Sequence, residues 1–162
     1  VYIAAGKEEE TYAPCFTYHG FRYAEIVTEG NVEILGVTAQ QMRTAVTPAG
    51  EFACSDECLS RLHEMAFLTE ANNLHGVFTD CPHREKLGWL EQSHLIGPSI
   101  QYGYDISRAY PKIVGDMATA QHEDGMIPTI APQYTVFAEG FLDTPEWGSS
   151  VKPRYFFTVS GA

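Results

Sequence analysis

Asp80-Cys81-Pro82-His83-Arg84-Glu85-Lys86-Leu87-Gly88-Trp89 is the stretch on which the reading of this chain turns. Two carboxylates, a guanidinium and an indole fall within one short run, and Pro82 interrupts any regular element there. A buried helix or strand has little use for that mixture, because unpaired charge is costly away from water. A sugar site uses every part of it. Carboxylates hold hydroxyls or pass a proton, an Arg orients a carboxylate, and a flat ring stacks on the C–H face of a sugar. The plain alternative is a solvated acidic turn in which Arg84 pairs with Asp80 or Glu85, since surface ion pairs are abundant.

Outward from the run, two compositions meet near residue 52. Upstream, 15–26 and 32–37 are rich in aromatic and β-branched residues, with Arg22, Glu25 and Glu33 interrupting in rough alternation around Glu29-Gly30-Asn31. That pattern predicts a β-hairpin, one that belongs to a larger sheet because two strands alone are marginal in water. Beyond Thr47-Pro48-Ala49-Gly50 the period turns helical. Ser55 is the expected N-cap of a first helix, with Asp56 and Glu57 at the positive end of its dipole and Leu59, Leu62, Met65 and Ala66 on one face. Asn72, Asn73 and Gly76 end it. A second helix is expected from Trp89 or Leu90 toward Tyr104, kinked at Gly97-Pro98, and a third from Asp105 or Ser107 to about Gln121. Asp124-Gly125 makes a turn, and 128–147 reads as a Pro- and Gly-punctuated loop. Glu85 and Trp89 share a face if their segment is helical.

Composition narrows the function. With 44% hydrophobic residues the 162-residue chain has material for a core. A formal charge of −11 opposes binding to nucleic acid or to an anionic membrane surface, and no apolar run approaches the roughly 20 residues of a spanning helix. The start lacks the basic-then-apolar order of a signal peptide, which leaves the compartment open between cytoplasm and periplasm or exterior. Cys54 and Cys58 have a CxxxC spacing, but with Cys15 and Cys81 they make no zinc pattern, and the histidines are scattered. The four thiols are read as unlinked and structural, and neither metal nor cofactor is expected.

The run at Thr79–Trp89 closely resembles the signature of the α-L-rhamnosidases, inverting glycoside hydrolases of bacteria that remove terminal rhamnose. Looser similarity extends from Phe16 to Ser150. Phe16-Thr17-Tyr18-His19-Gly20-Phe21-Arg22-Tyr23 is similar to the last strands of the family's β-sandwich, and His122–Pro128 to a loop after its third helix. The resemblance implies an α-rich fold with an N-terminal β-hairpin, in which a partial (α/α)6 toroid of six-hairpin glycosidase type follows the end of a β-sandwich. It divides the chain into 1–50 (sandwich strands), 51–150 (the N-terminal part of the toroid) and 151–162, an atypical tail where Lys152-Pro153-Arg154 replaces the expected helix.

By the same resemblance Glu85 matches the general acid and Asp80 a carboxylate that holds rhamnose hydroxyls, with Arg84 orienting the carboxylates. Trp89 matches an aromatic of the rhamnose pocket, and Trp147, in Thr144-Pro145-Glu146-Trp147-Gly148, a second pocket tryptophan. The chain departs from the family where Trp-Thr-Gly-Asp becomes Trp89-Leu90-Glu91-Gln92: Gln92 still hydrogen-bonds hydroxyls but carries no charge. Glycoside inversion needs a second carboxylate, which the resemblance puts beyond residue 162. The expectation is a piece of a larger enzyme acting on a rhamnose-containing glycoside. A carbohydrate-binding module or inactive relative is the alternative.

Overall fold

The computed structural model of the protein describes residues 1–148. The tail expected at 151–162 and the similarity at Ser149-Ser150-Val151 lie outside the described residues. The architecture is helical.

Helix α1 (Glu57–Asn72) starts where the Asp56 carboxylate accepts from the N–H groups of Cys58 at 2.8 Å and Leu59 at 3.2 Å. The cap is therefore Asp56 and not Ser55: its carboxylate serves two orphan amides and adds a negative charge at the positive end of the dipole. Asn73 closes the helix, its N–H reaching Thr69 O and Glu70 O and its side-chain amide donating to Thr69 O. The apolar period of α1 is present, yet it looks outward. Leu59, Leu62, Met65 and Leu68 are each about half exposed, and Ala71 is the buried residue.

The expected second helix is two helices. α2 (Leu90–Leu95) stops at Ile96, and α3 (Gly97–Gly103) starts immediately after it. Pro98 sits in the first turn of α3, where a missing N–H costs nothing. Pro98 therefore opens a new helix instead of kinking an old one. α4 (Ala109–Ala120) begins later than predicted, because Asp105 accepts from Ser107 N–H at 2.9 Å and holds the approach as a turn. Gly125, at φ +89°, makes the predicted turn after it. Within 128–147 the chain forms a 3₁₀ turn (Glu139–Phe141) and a short helix α5 (Pro145–Gly148).

No strands form at 15–26 or 32–37. Gly30 bends the chain at φ +85° as the pattern suggests, but its flanks do not pair. Phe21, Tyr23, Ile26 and Val37 lie exposed, with no third strand to cover them. The antiparallel pair among the described residues lies elsewhere: β1 (Thr47–Pro48) runs against β2 (Tyr104–Asp105), with Thr47 opposite Asp105. The N-terminal segment is instead fastened at points to the chain after α1. Thr44 N–H donates to Leu74 O at 2.7 Å, Gly76 N–H to Thr44 Oγ1 at 2.7 Å, and Gly20 N–H to Pro82 O at 3.2 Å. The core gathers Leu74, Phe78, Leu90, Ile100, Ile113 and Met117 from α1's exit and from α2, α3 and α4. The 79–89 loop lies directly on it.

Candidate active site

The loop is closed by its own backbone. Thr79 N–H reaches Asn73 O at 2.8 Å, tying the loop to the end of α1. Asp80 N–H donates to Leu87 O at 3.1 Å, and Leu87 N–H returns to Asp80 Oδ1 at 3.0 Å. Between those residues the chain turns through Pro82–Glu85, where Glu85 N–H points at Cys81 Sγ at 3.2 Å. The exit is zipped onto 129–131: Ala131 N–H donates to Gly88 O at 3.1 Å and Leu90 N–H to Thr129 O at 3.0 Å. Gly88 is required there, since a Cβ would sit 2.6 Å from Ala131 O and 3.0 Å from Val77 Cγ2.

This frame brings Asp80, Arg84, Glu85 and Trp89 together; the segment from Glu85 to Trp89 is not helical, so a shared helical face does not bring them together. Trp89 precedes α2, and the turn folds Glu85 back so that Trp89 Nε1 donates to Glu85 Oε2 at 3.3 Å. Arg84 Nη2 bonds the other oxygen of Glu85 at 3.2 Å. The Glu85 side chain is 38% exposed and meets the N–H edge of the indole, while Leu87 is buried. Trp89 stacks on Phe137 (5.3 Å between ring centroids, 21° between planes) and tilts against Trp147 at 5.7 Å. Trp147 comes from α5 and not from a loop. Gln92 lies in α2, its Oε1 buried and without a hydrogen-bond partner among the described residues.

Asp80 is the electrostatic centre. Partial burial pushes its pKa up, but hydrogen bonds from the Cys81 thiol, from the Leu87 and Cys81 amides and from the Glu85 carboxyl outweigh that and hold it below the usual carboxylate value. It is ionised at neutral pH. Burial raises the Tyr18 phenol, with a hydrogen bond to Thr79 opposing and the Asp80 charge assisting. Tyr134 is raised by burial, then by Tyr18 and Asp80. His75, stacked on Tyr18 at 3.8 Å, is lowered by burial and more weakly by the Lys86 charge, a hydrogen bond to Asn72 O working against both.

Tyr18, His75, Lys86, Tyr134 and Phe137 were missed as site residues in the sequence. Lys86 lies inside the decisive run and Tyr18 inside a stretch already singled out, so position pointed to both. For Tyr134 and Phe137 the available signal was aromatic side chains in a loop rich in Pro and Gly. Among the described residues, no group of three or more His, Cys, Asp or Glu side chains is placed to hold a metal ion. Chemically, the site offers one fixed carboxylate, a second carboxylate at the surface bridged by an indole N–H and a guanidinium, and an aromatic wall.

Comparison with known proteins places these features in a family. The model of the bacterial alpha-L-rhamnosidase 6 hairpin glycosidase domain matches residues 47–160, and that of the bacterial alpha-L-rhamnosidase concanavalin-like domain matches residues 1–46. An alpha-L-rhamnosidase of Formosa agariphila is 37% identical over 131 residues, which is 79% of this chain and 13% of that protein. The structure of the alpha-L-rhamnosidase from Dictyoglumus thermophilum superposes with a TM-score of 0.61 at 28% identity, covering 67% of this chain and 12% of that one. The Streptomyces avermitilis alpha-L-rhamnosidase complexed with L-rhamnose gives 0.60 at 26% identity, covering 67% and 10%. The chain thus spans about an eighth of the length of the relatives it matches.

Proposed function

The chain belongs to the bacterial α-L-rhamnosidase six-hairpin glycosidase family, and on that premise we propose that it supplies part of the active site of an enzyme that hydrolyses terminal non-reducing α-L-rhamnose with inversion. The observation that carries this reading is the closed loop itself, in which Asp80 is held ionised while Glu85 stands at the surface against the N–H edge of Trp89. Glu85 acts as the general acid on the leaving oxygen. Asp80 accepts hydrogen bonds from sugar hydroxyls, Arg84 orients Glu85, and Trp89 with Trp147 forms the platform for the C–H face. Gln92 keeps its place on the motif alone, since the buried Oε1 is not the end of its amide offered to a sugar. Residues 1–50 then form the close of a sandwich domain and 51–150 the opening of the toroid.

The two carboxyl groups of an inverting glycosidase stand about 6.5–9.5 Å apart to admit a water between them. The Glu85 carboxyl helps lower the Asp80 pKa through a hydrogen bond, which supports a substrate-holding role for Asp80 and not that of the base. That contact fits the division of labour above, with a second catalytic carboxylate facing the opposite side of the sugar. The neutral Gln92, where the family pattern carries an acid, favours a second reading: a sugar-binding relative without turnover.

The deciding experiment gives the full-length protein a rhamnose disaccharide and follows the anomeric signal of released rhamnose by NMR. Immediate appearance of the inverted β anomer is expected. Binding of rhamnose without release supports the second reading, and neither binding nor release overturns both.

A further inference from the structure

Lys86 adopts φ +59°, one of two non-glycine residues with positive φ among the described residues. Lysine does not visit that left-handed region without reason, since its Cβ crowds the following carbonyl. Here the conformation is held from both ends. The Lys86 ammonium donates to Tyr18 O at 2.7 Å and lies 4.6 Å from the centre of the Tyr18 ring. The Lys86 carbonyl accepts from the Tyr134 hydroxyl at 2.7 Å. The Tyr18 ring is backed in turn by His75, at 3.8 Å.

The position of this clamp gives it a role. Lys86 directly follows Glu85, and its left-handed turn sends the chain back so that Leu87 N–H reaches Asp80 and Gly88 tucks beneath Ala131. A relaxed Lys86 would swing the Leu87 amide off Asp80 and move Glu85 relative to Trp89. Tyr18 belongs to the segment that matches the concanavalin-like domain, while Lys86 and Tyr134 belong to the one that matches the hairpin domain. The two segments therefore meet at the residue that sets the acid's place.

We infer that Lys86, clamped between Tyr18 and Tyr134, is a positioning residue that fixes Glu85 and Asp80 for reaction and couples the N-terminal segment to the site. The inference rests on the rhamnosidase reading above.

The test uses the full-length enzyme with Lys86→Met, which keeps the stem without the charge, Lys86→Arg, which keeps a cation able to stack and donate, and Tyr134→Phe. Tyr134 is largely exposed, so its loss leaves folding intact. Misplacement of a catalytic group by about an ångström costs up to ~100-fold in rate. Lys86→Met should therefore lower kcat on a natural rhamnoside by ~10- to 100-fold and raise KM as well, since Asp80 loses the Leu87 amide that holds it. It should lower kcat less on an activated aryl rhamnoside, which needs little help from an acid. Lys86→Arg should recover most of the loss, and Tyr134→Phe should show the same substrate bias in weaker form. Unchanged kcat in Lys86→Met and Tyr134→Phe overturns the inference alone. So does an equal loss on both substrates that follows a falling melting temperature and that Arg does not rescue. A wild-type protein that releases no rhamnose overturns the functional reading and this inference with it.

Discussion

At the scale of single residues the chemistry concentrates in two carboxylates with different surroundings. On the proposed role of Glu85 as general acid, Glu85→Gln in the full-length enzyme keeps volume but removes the proton supply. Cleavage of a rhamnose disaccharide should fall by about 10²–10⁴-fold, and cleavage of an activated aryl rhamnoside much less; equal losses measured side by side would make Glu85 a binding residue. Asp80→Asn should weaken rhamnose binding by about 1.5–3 kcal/mol, the scale of a hydrogen bond to a charged group, as read by calorimetric titration. The pH dependence has a definite sign. The folded pKa of Asp80 lies below the ordinary value, so the unfolded chain takes up the proton first. The stability Asp80 contributes is present above about pH 3.9 and is lost as pH falls from there through the lowered folded value. Melting curves between pH 6 and pH 3, in roughly half-unit steps, should show wild type losing part of its advantage over Asp80→Asn in that window. That Asp80, Glu85 and Trp89 share one local site was legible in the sequence, because all three lie within one short run. Tyr18 and Tyr134 were not, since their partners lie 68 and 48 residues away along the chain.

At the scale of elements, local rules and tertiary contacts divide the outcome. The start and end of α1 follow capping chemistry, with Asp56 taking the cap from its neighbour Ser55. Asp56→Ala should cost about 1 kcal/mol through two lost amide bonds, seen as a lower midpoint in urea. At the loop exit, Gly88→Ala must displace a backbone carbonyl of the 129–131 segment. Overpacking of that kind costs about 1–3 kcal/mol. Because Gly88 adjoins Trp89, the same variant should also weaken rhamnose binding, which separates it from Asp56→Ala. The period of the second helix was readable, but its division at Ile96 was not. Pro98 serves equally well as a kink or as a first-turn residue, and only the packing around Ile96 and Ile100 chose between them. The hairpin expected at 15–37 shows the reverse case. Alternation there is real, yet a strand exists only where another strand pairs with it.

At the scale of the whole molecule, a core of modest size carries the site while much apolar surface stays in water. The outward row of α1, Leu59, Leu62, Met65 and Leu68, is the clearest case. Contiguous apolar surface of this kind marks a contact in proteins that keep it. The isolated 162-residue chain should therefore bind a hydrophobic dye strongly, and replacing Leu62 and Met65 by Lys should reduce that signal without loss of helical circular dichroism. Dye binding unchanged by the double substitution would place the accessible surface elsewhere. The family assignment itself was within reach of the sequence, through the order of residues from Thr79 to Trp89. The packing that makes this order work was not.

The sequence by itself determined the helical character of residues beyond 52, the turn at Asp124-Gly125, the family, and the residue types available for chemistry. Each of those depends on neighbours a few positions away: periodicity, caps, turn formers and a dense local motif. Only the tertiary structure decided that Glu85 meets Trp89 through a closed loop instead of a helix, that Trp147 joins them from α5, and that Lys86 is locked between Tyr18 and Tyr134. Those are contacts between distant segments. They are set by which surfaces bury one another and which backbone groups remain to be paired, and no local pattern encodes that choice.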